Sequence, residues 1–186
     1  MYELPEQWNE QLEHPNRPVV GVSWYESMAF CAWAGLGLPS EAQWERAAKG
    51  PGDIYHIYPW GNGKPDDVKA NFAESNLNSA APVGIFPEGN TSEDLCDMSG
   101  NVFEWCSDRY EENYYDACKK KGIVKNPEGP SGGSFRVMRG GSWFIPARHC
   151  RSAYRSGGIP DHRSGDVAGL GAEDEVYLEA LEEGLR

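Results

Sequence analysis

The sequence contains no apolar run approaching the ~20 residues that a membrane-spanning helix needs. Its first eight residues have neither the basic start nor the apolar stretch of a secretory leader, so the expected compartment is the cytoplasm. Basic charge is scarce: 17 Lys and Arg stand against 29 Asp and Glu, a formal net charge of -12. Phosphate backbones and anionic lipid both require a cationic footprint, so neither nucleic acid nor a membrane is an expected partner. Paired cysteines are missing as well. Cys31, Cys96, Cys106, Cys118 and Cys150 form no CxxC and no metal-ligand spacing, and an odd, scattered set reads as reduced, mostly buried thiols. His14, His56, His149 and His162 are too dispersed to suggest a ligand cluster.

What is present suits one domain of 186 residues with a substantial core. Two helices are marked by their caps. Ser23 with Glu26 forms a capping box that opens a helix through Trp33, whose packed face is expected to hold Trp24, Met28 and Cys31. Ser40 with Gln43 opens a second, running through Trp44, Ala47 and Ala48 to Gly50. From Pro51 to Pro130, Gly, Pro, Asn and Asp recur every few residues, which favours turns over regular elements. A structureless stretch of that length needs a clamp, such as a bound ion. Residues 135–139 read as a strand entering a Gly140-Gly141 turn, and residues 153–155 as another short strand. Six acidic residues against Arg186 alone give residues 172–186 a net charge of -5. This tail is helix-prone, with Val176, Ala180, Leu181 and Leu185 on one side, and is expected to dock against the body. The expected organisation is an extension over 1–16, a domain over 17–171 and the acidic tail over 172–186.

Four phrases carry most of the information: residues 18–25 (Pro18 to Tyr25), residues 38–45 (Leu38 to Glu45), Asp97-Met98-Ser99-Gly100-Asn101-Val102-Phe103-Glu104-Trp105-Cys106, and Arg139-Gly140-Gly141-Ser142-Trp143. In this order they resemble the formylglycine-generating enzyme, or sulfatase-modifying factor, domain family, over roughly residues 17 to 167. The resemblance implies a C-type-lectin-like α+β fold with much irregular structure, two short helices and short antiparallel strands. Trp24, Trp33, Trp44, Trp60, Trp105 and Trp143 fall in or beside these phrases, and most are expected in the core.

By that resemblance, calcium is held at the third phrase by Asp97, the carbonyls of Gly100 and Val102, and Glu104. Carboxylates and carbonyls are the ligands calcium prefers, although the same residues can cap turns instead. A second calcium site would begin at Asn71, in a segment that is short here. Active relatives oxidise a substrate cysteine with oxygen, using two cysteines that form a cage suited to Cu(I). The matching positions are Ile145 and Cys150, so a two-sulfur copper site is not expected. Cys150 is flanked by Arg148, His149 and Arg151, cations that activate a thiol only if they also surround it in space. A branch of the family that uses histidine-bound iron carries an added helical domain with no counterpart here.

The expected function is therefore a non-catalytic binding variant. A protein or small-molecule ligand would meet the stretch 143–167, through Trp143, Phe144, Ile145, Arg148, His149, Tyr154, Ile159, Asp161 and His162. In some relatives this stretch is hypervariable and binds ligands. The alternative is a divergent copper- and oxygen-dependent cysteine oxidase centred on Cys150, with Ser142, Trp143, Arg148 and Tyr154 around it. The strands that begin and end the family domain have no match in this sequence, so the chain is either a reduced variant or receives those strands from a partner chain.

Overall fold

The computed structural model describes residues 4–52 and 55–168. Four α-helices, α1 (Trp8–Gln11), α2 (Trp24–Trp33), α3 (Glu41–Lys49) and α4 (Tyr114–Lys121), accompany four strands. The strands are β1 (Phe103–Arg109), β2 (Arg136–Arg139), β3 (Ser156–Gly158) and β4 (Val167–Ala168), in the sheet order β3-β2-β1-β4. The fold is the α+β arrangement expected, with two more helices than the sequence announces. β1, β2 and β3 pair antiparallel, but β4 runs parallel to β1. The cause is topological. β3 and β4 lie at opposite edges, and residues 159–166 carry the chain across so that β4 arrives in the direction of β3. The strand expected over 153–155 forms three residues later, because residues 151–153 are turned. Val20 bridges Ala168 and covers the outer edge of β4.

Both predicted capping boxes form. In α2 the Ser23 side chain accepts from Glu26 N, and in α3 the Ser40 side chain accepts from Gln43 N. The buried stripe of α2 is Trp24, Ser27 and Cys31, which turns Met28 away from the core to 43% exposure. Alternation along the sheet then builds two cores, since successive side chains leave opposite faces. Cys106 and Val137 join Trp44, Leu95 and Met98 on one face, while Trp105 and Met138 join Trp24, Phe103 and Val167 on the other. Trp24, Trp44 and Trp105 are buried as expected, but Trp33 is 82% exposed and belongs to no core.

Between α3 and β1 the described chain holds only the 3-10 turns Ala73–Ser75 and Pro87–Gly89. Two buried amides clasp this stretch. Asn101 Oδ1 accepts from Ala81 N (2.8 Å) and its Nδ2 donates to Ala81 O (3.2 Å). Asn71 Nδ2 donates to Ser79 O (2.8 Å), and Asn71 O accepts from Asn101 N (2.7 Å). Full satisfaction of such buried amides fixes a unique loop path. The N-terminal residues are bound in the same way. Gln11 clasps Val20 through both its side-chain groups at 3.0 Å, and Val83 N donates to Asn16 O (2.9 Å). The tail over 172–186 lies outside the described residues.

A buried ionic group ties α3 to the sheet. Arg139 donates to Glu41 Oε1 (2.6 Å), Glu45 Oε2 (2.7 Å) and Ser152 O (2.5 Å). Arg155 grips both oxygens of Glu41, at 2.6 and 2.8 Å. The i, i+4 spacing of Glu41 and Glu45 sets both carboxylates on one face of α3, toward Arg139.

Candidate functional site

The Gly-Gly-Ser-Trp phrase follows β2 directly. Gly140 (φ 89) and Gly141 (φ 87) are both left-handed, a conformation glycine adopts without a Cβ penalty, and they reverse the chain so that Ser142 is fully buried. Ser142 Oγ donates to Asp166 Oδ2 (2.9 Å), and Ser164 Oγ donates to the other carboxylate oxygen. Trp143 N donates to Asn101 O (2.8 Å) and its indole N–H to Gly165 O (3.2 Å). Held this way, Trp143 supports the edge-on ring of Phe144, 5.6 Å away and 68% exposed.

Opposite this turn lies the N-terminal segment, leaving an open groove of about 720 Å³. Trp8, Leu12 and Val19 of that segment, with Trp143 and Phe144, supply its apolar lining, and Asn78, Ser79 and Ala80 line it as well. Its charges are mixed: Glu6, Glu10 and Asp166 against Arg17. Concave surfaces that set aromatic rings beside polar groups are where ligands bind.

The nine residues predicted to meet a ligand are divided by the fold. Trp143 and Phe144 line the groove. Ile145 packs against the core of Trp24, Phe103, Trp105, Met138 and Val167 instead. Tyr154 joins that core too and stacks on His149 at 4.5 Å. Burial, with the charges of Arg148 and Arg151, holds the His149 pKa below its usual value. Arg148 is exposed on the turn Ala147–His149. Ile159, Asp161 and His162 are exposed on the crossing connection, where Pro160 O accepts from the first amide of α2.

Cys150 is fully buried with Ala70, Phe72, Tyr58, Trp60 and Ala147, and Ser99 Oγ donates to its carbonyl. Burial, with a smaller contribution from Glu74, pushes its thiol up to about 12. The flanking cations do not offset this, so the side chain is a neutral thiol at physiological pH. Ile145 and Cys150, the two positions matching the thiol pair, point into different hydrophobic clusters. This donor set, one sulfur and one aliphatic chain, does not fit Cu(I).

The oxygen set of the third phrase fits a hard cation in its chemistry. Glu104 Oε2 accepts from the Trp44 indole N–H. Beside the same indole, the carbonyls of Val102 and Met98 lie 3.6 and 3.8 Å from where a Cβ on Gly140 would stand. Asp97 Oδ2 accepts from Gly84 N (2.8 Å), and Gly100 N donates to Gly140 O (2.9 Å). The side chain of Asn71 is engaged with Ser79 O, Ser75 Oγ and Asn101. Among the described residues no three His, Cys, Asp or Glu side chains converge as a metal cluster, so backbone carbonyls would have to supply much of any coordination shell.

Sequence reasoning missed the whole N-terminal wall, and also Asp166, which anchors Ser142. A signal did exist for the wall: Trp8 and Leu12, at i and i+4, are apolar residues in an otherwise polar segment.

Residues 5–169 match the sulfatase-modifying factor enzyme 1-like domain family. The formylglycine-generating enzyme of Streptomyces coelicolor is 38% identical over 176 residues, covering 86% of this chain and 54% of that protein. The inactive Cα-formylglycine-generating enzyme 2 of Mus musculus is 35% identical over 164 residues, covering 81% of this chain and 47% of that protein. The chain thus spans about half the length of these curated relatives. Among solved structures, Treponema denticola variable protein 1 superposes with a TM-score of 0.64 at 24% identity, covering 82% of this chain and 69% of its own. PvdO from Pseudomonas aeruginosa superposes at 0.63 with 25% identity, covering 82% and 60%. By its matched residues and by these relatives, the chain belongs to the sulfatase-modifying factor enzyme 1-like domain family.

Proposed function

We propose that this domain is a non-catalytic binding member of its family, whose groove between the N-terminal segment and Trp143-Phe144 takes an extended protein segment. The observation that carries the reading is the fate of the two thiol positions: Ile145 is half-buried against the core of Trp24 and Trp105, and Cys150 is a buried, neutral thiol. The groove supports binding because its rings are already oriented by Asp166, Asn101 and Gly165, so little ordering is needed when a ligand arrives. A relative whose name calls it inactive is consistent with loss of the reaction within the family. The test is selection from a displayed random-peptide library on the purified chain, with Phe144→Glu as reference. Enriched peptides should bind the variant at least about tenfold more weakly, the size expected for a buried aromatic anchor. Enrichment indifferent to Phe144 would move the site elsewhere. Tight one-to-one Cu(I) binding that disappears in Cys150→Ser would replace this reading with the oxidase.

The same reading includes calcium as a structural clamp, held by Asp97, Glu104 and the carbonyls of Gly100 and Val102, joining the 97–104 loop to the Gly140 turn. Calcium at 100 times its Kd would add about 2.7 kcal/mol of stability, or roughly 5–10 °C in Tm. Thermal melts in calcium and in EDTA should differ by this amount in the wild-type chain and coincide in Asp97→Asn. A wild-type Tm indifferent to calcium would remove the clamp.

A further inference from the structure

We propose that the exposed ridge of α2 is a homodimer interface, at which a second copy of this chain lays its own α2 antiparallel across the first. The helix buries only Trp24, Ser27 and Cys31. On its other side Tyr25, Ala29 and Trp33 recur at i, i+4 and i+8 and are all exposed, forming a continuous apolar ridge. Phe30 stands beside Trp33 with ring centroids 5.7 Å apart, and Trp33 is 82% exposed. Met28 and Ala32 are exposed on the flanks. The helix carries a single charged residue, Glu26, which is engaged by Arg163 and Ser23. A contiguous patch of this kind marks an interaction surface.

Area, shape and charge select a second copy as the occupant. Trp33, Tyr25, Phe30, Met28 and the exposed alanines present roughly 600 Å² on each copy, so a symmetric pair buries about 1,200 Å², the lower limit for a stable specific interface. Ala29, a small residue, leaves a notch between the rings of Tyr25 and Trp33, which lets a second helix approach closely. Two notched helices fit each other about a two-fold axis through Ala29. The residue four positions after Ala29 in one copy then meets the residue four before it in the other. Each Trp33 therefore lies on the partner's Tyr25, a reciprocal contact of the kind a two-fold interface requires. Charge excludes the other occupants. The one charge of the helix is already paired, so the ridge has no means of selecting an ionic partner, and a formal net charge of -12 opposes an anionic bilayer. No residue of α2 lines the groove of the preceding section, so the pairing surface and the groove are separate.

The test is sedimentation velocity on the full chain. Wild type at about 100 µM should sediment as a dimer, and Trp33→Glu should raise the dissociation constant at least about 30-fold, as loss of a buried aromatic anchor does. Ala29→Arg, at a second exposed position, should give the same result. Raising salt from about 0.05 to about 0.5 M should tighten the wild-type pair several-fold, because screening weakens the repulsion between two acidic copies. The two-fold arrangement has its own readout. Oxidised glutathione should link Ala29→Cys between copies far faster than Ala34→Cys or wild type, since only position 29 brings two thiols together at the axis. A wild type that stays monomeric at about 100 µM overturns the proposal. If that monomer floats with phosphatidylcholine vesicles and Trp33→Glu does not, the ridge belongs to a bilayer. A dimer indifferent to both Trp33→Glu and Ala29→Arg also overturns it, since another surface then pairs. Equal cross-linking at positions 29 and 34 overturns the antiparallel arrangement.

Discussion

Replacing Arg139 with Met is expected to destabilise the domain by about 3–5 kcal/mol, the cost of removing one partner from a buried ionic group. The corresponding fall in Tm is on the order of 10 °C for a chain of this size. Arg139 is fully buried and joins three elements: Glu41 and Glu45 of α3, the sheet through β2, and the carbonyl of Ser152. Its guanidinium also lies 4.9 Å from the ring centre of Trp44, a core residue, so the cation is packed as well as paired. Met preserves the stem but not the charge. Glu41, at 1% exposure, is then left to Arg155 alone, and Ser152 O loses its donor. Adding Glu41→Gln to Arg139→Met should not recover the loss, because Arg155 would then lose its own carboxylate partner. Denaturant melts of wild type and of the single and double variants measure both effects. A single variant within about 1 kcal/mol of wild type would mean the network is incidental.

The same group gives stability a pH limb. Burial alone would raise the Glu45 pKa, but the charges and hydrogen bonds of Arg139 and Lys49 outweigh it, and the net shift is downward. A carboxylate with a depressed folded-state pKa contributes stability that is present above its unfolded value, near 4.3. That contribution is lost as pH falls through the depressed value. In Arg139→Met the main opposing charge is gone, so the acid limb of the melt should move to higher pH than in wild type.

The parts of this fold that were legible in the sequence are those fixed by neighbours in the chain. A Ser with Glu or Gln three residues on satisfies its own helix end, so α2 and α3 began where the capping boxes put them. The strand before Gly140-Gly141 was legible for a related reason, since two left-handed residues must end it. What failed depended on distant contacts. Nothing local to Trp33 states that no element covers it, and nothing local to Met28 states that Ser27 is buried in its place. The parallel pairing of β4 is set by where residues 159–166 cross the sheet. The candidate site divides in the same way. The motif turn and its Trp143 and Phe144 were readable. Its other wall comes from residues 6–20, brought there by Gln11 and Asn16, and its anchor is Asp166, 24 residues from the Ser142 it fixes. Ile145 and Tyr154, read as ligand contacts from their place in the loop, are half-buried against the core of Trp24 and Trp105, a contact set by distant residues.

Gly100→Ala is expected to be the most damaging single-methyl change in the motif region, with a loss of about 3 kcal/mol or more. Two costs combine. Gly100 has φ +80, and a left-handed alanine costs about 1–2 kcal/mol. The added Cβ would also stand 2.4 Å from the carbonyl oxygen of Asn71, a backbone atom that cannot rotate aside. That oxygen accepts from Asn101 N at 2.7 Å, so relief of the clash pulls on the clasp between the 71–81 loop and the 99–101 turn. Gly100 N, bonded to Gly140 O at 2.9 Å, carries the disturbance to the turn that presents Trp143 and Phe144. Gly35→Ala separates the two costs, because Gly35 is also left-handed (φ +78) but a Cβ there meets nothing within 4 Å. It should lose only the conformational 1–2 kcal/mol and leave the groove intact. Melts should therefore rank wild type, Gly35→Ala and Gly100→Ala in that order, and only Gly100→Ala should weaken groove-dependent peptide binding. Equal losses in the two variants would mean that the clasp yields freely and does not hold the groove.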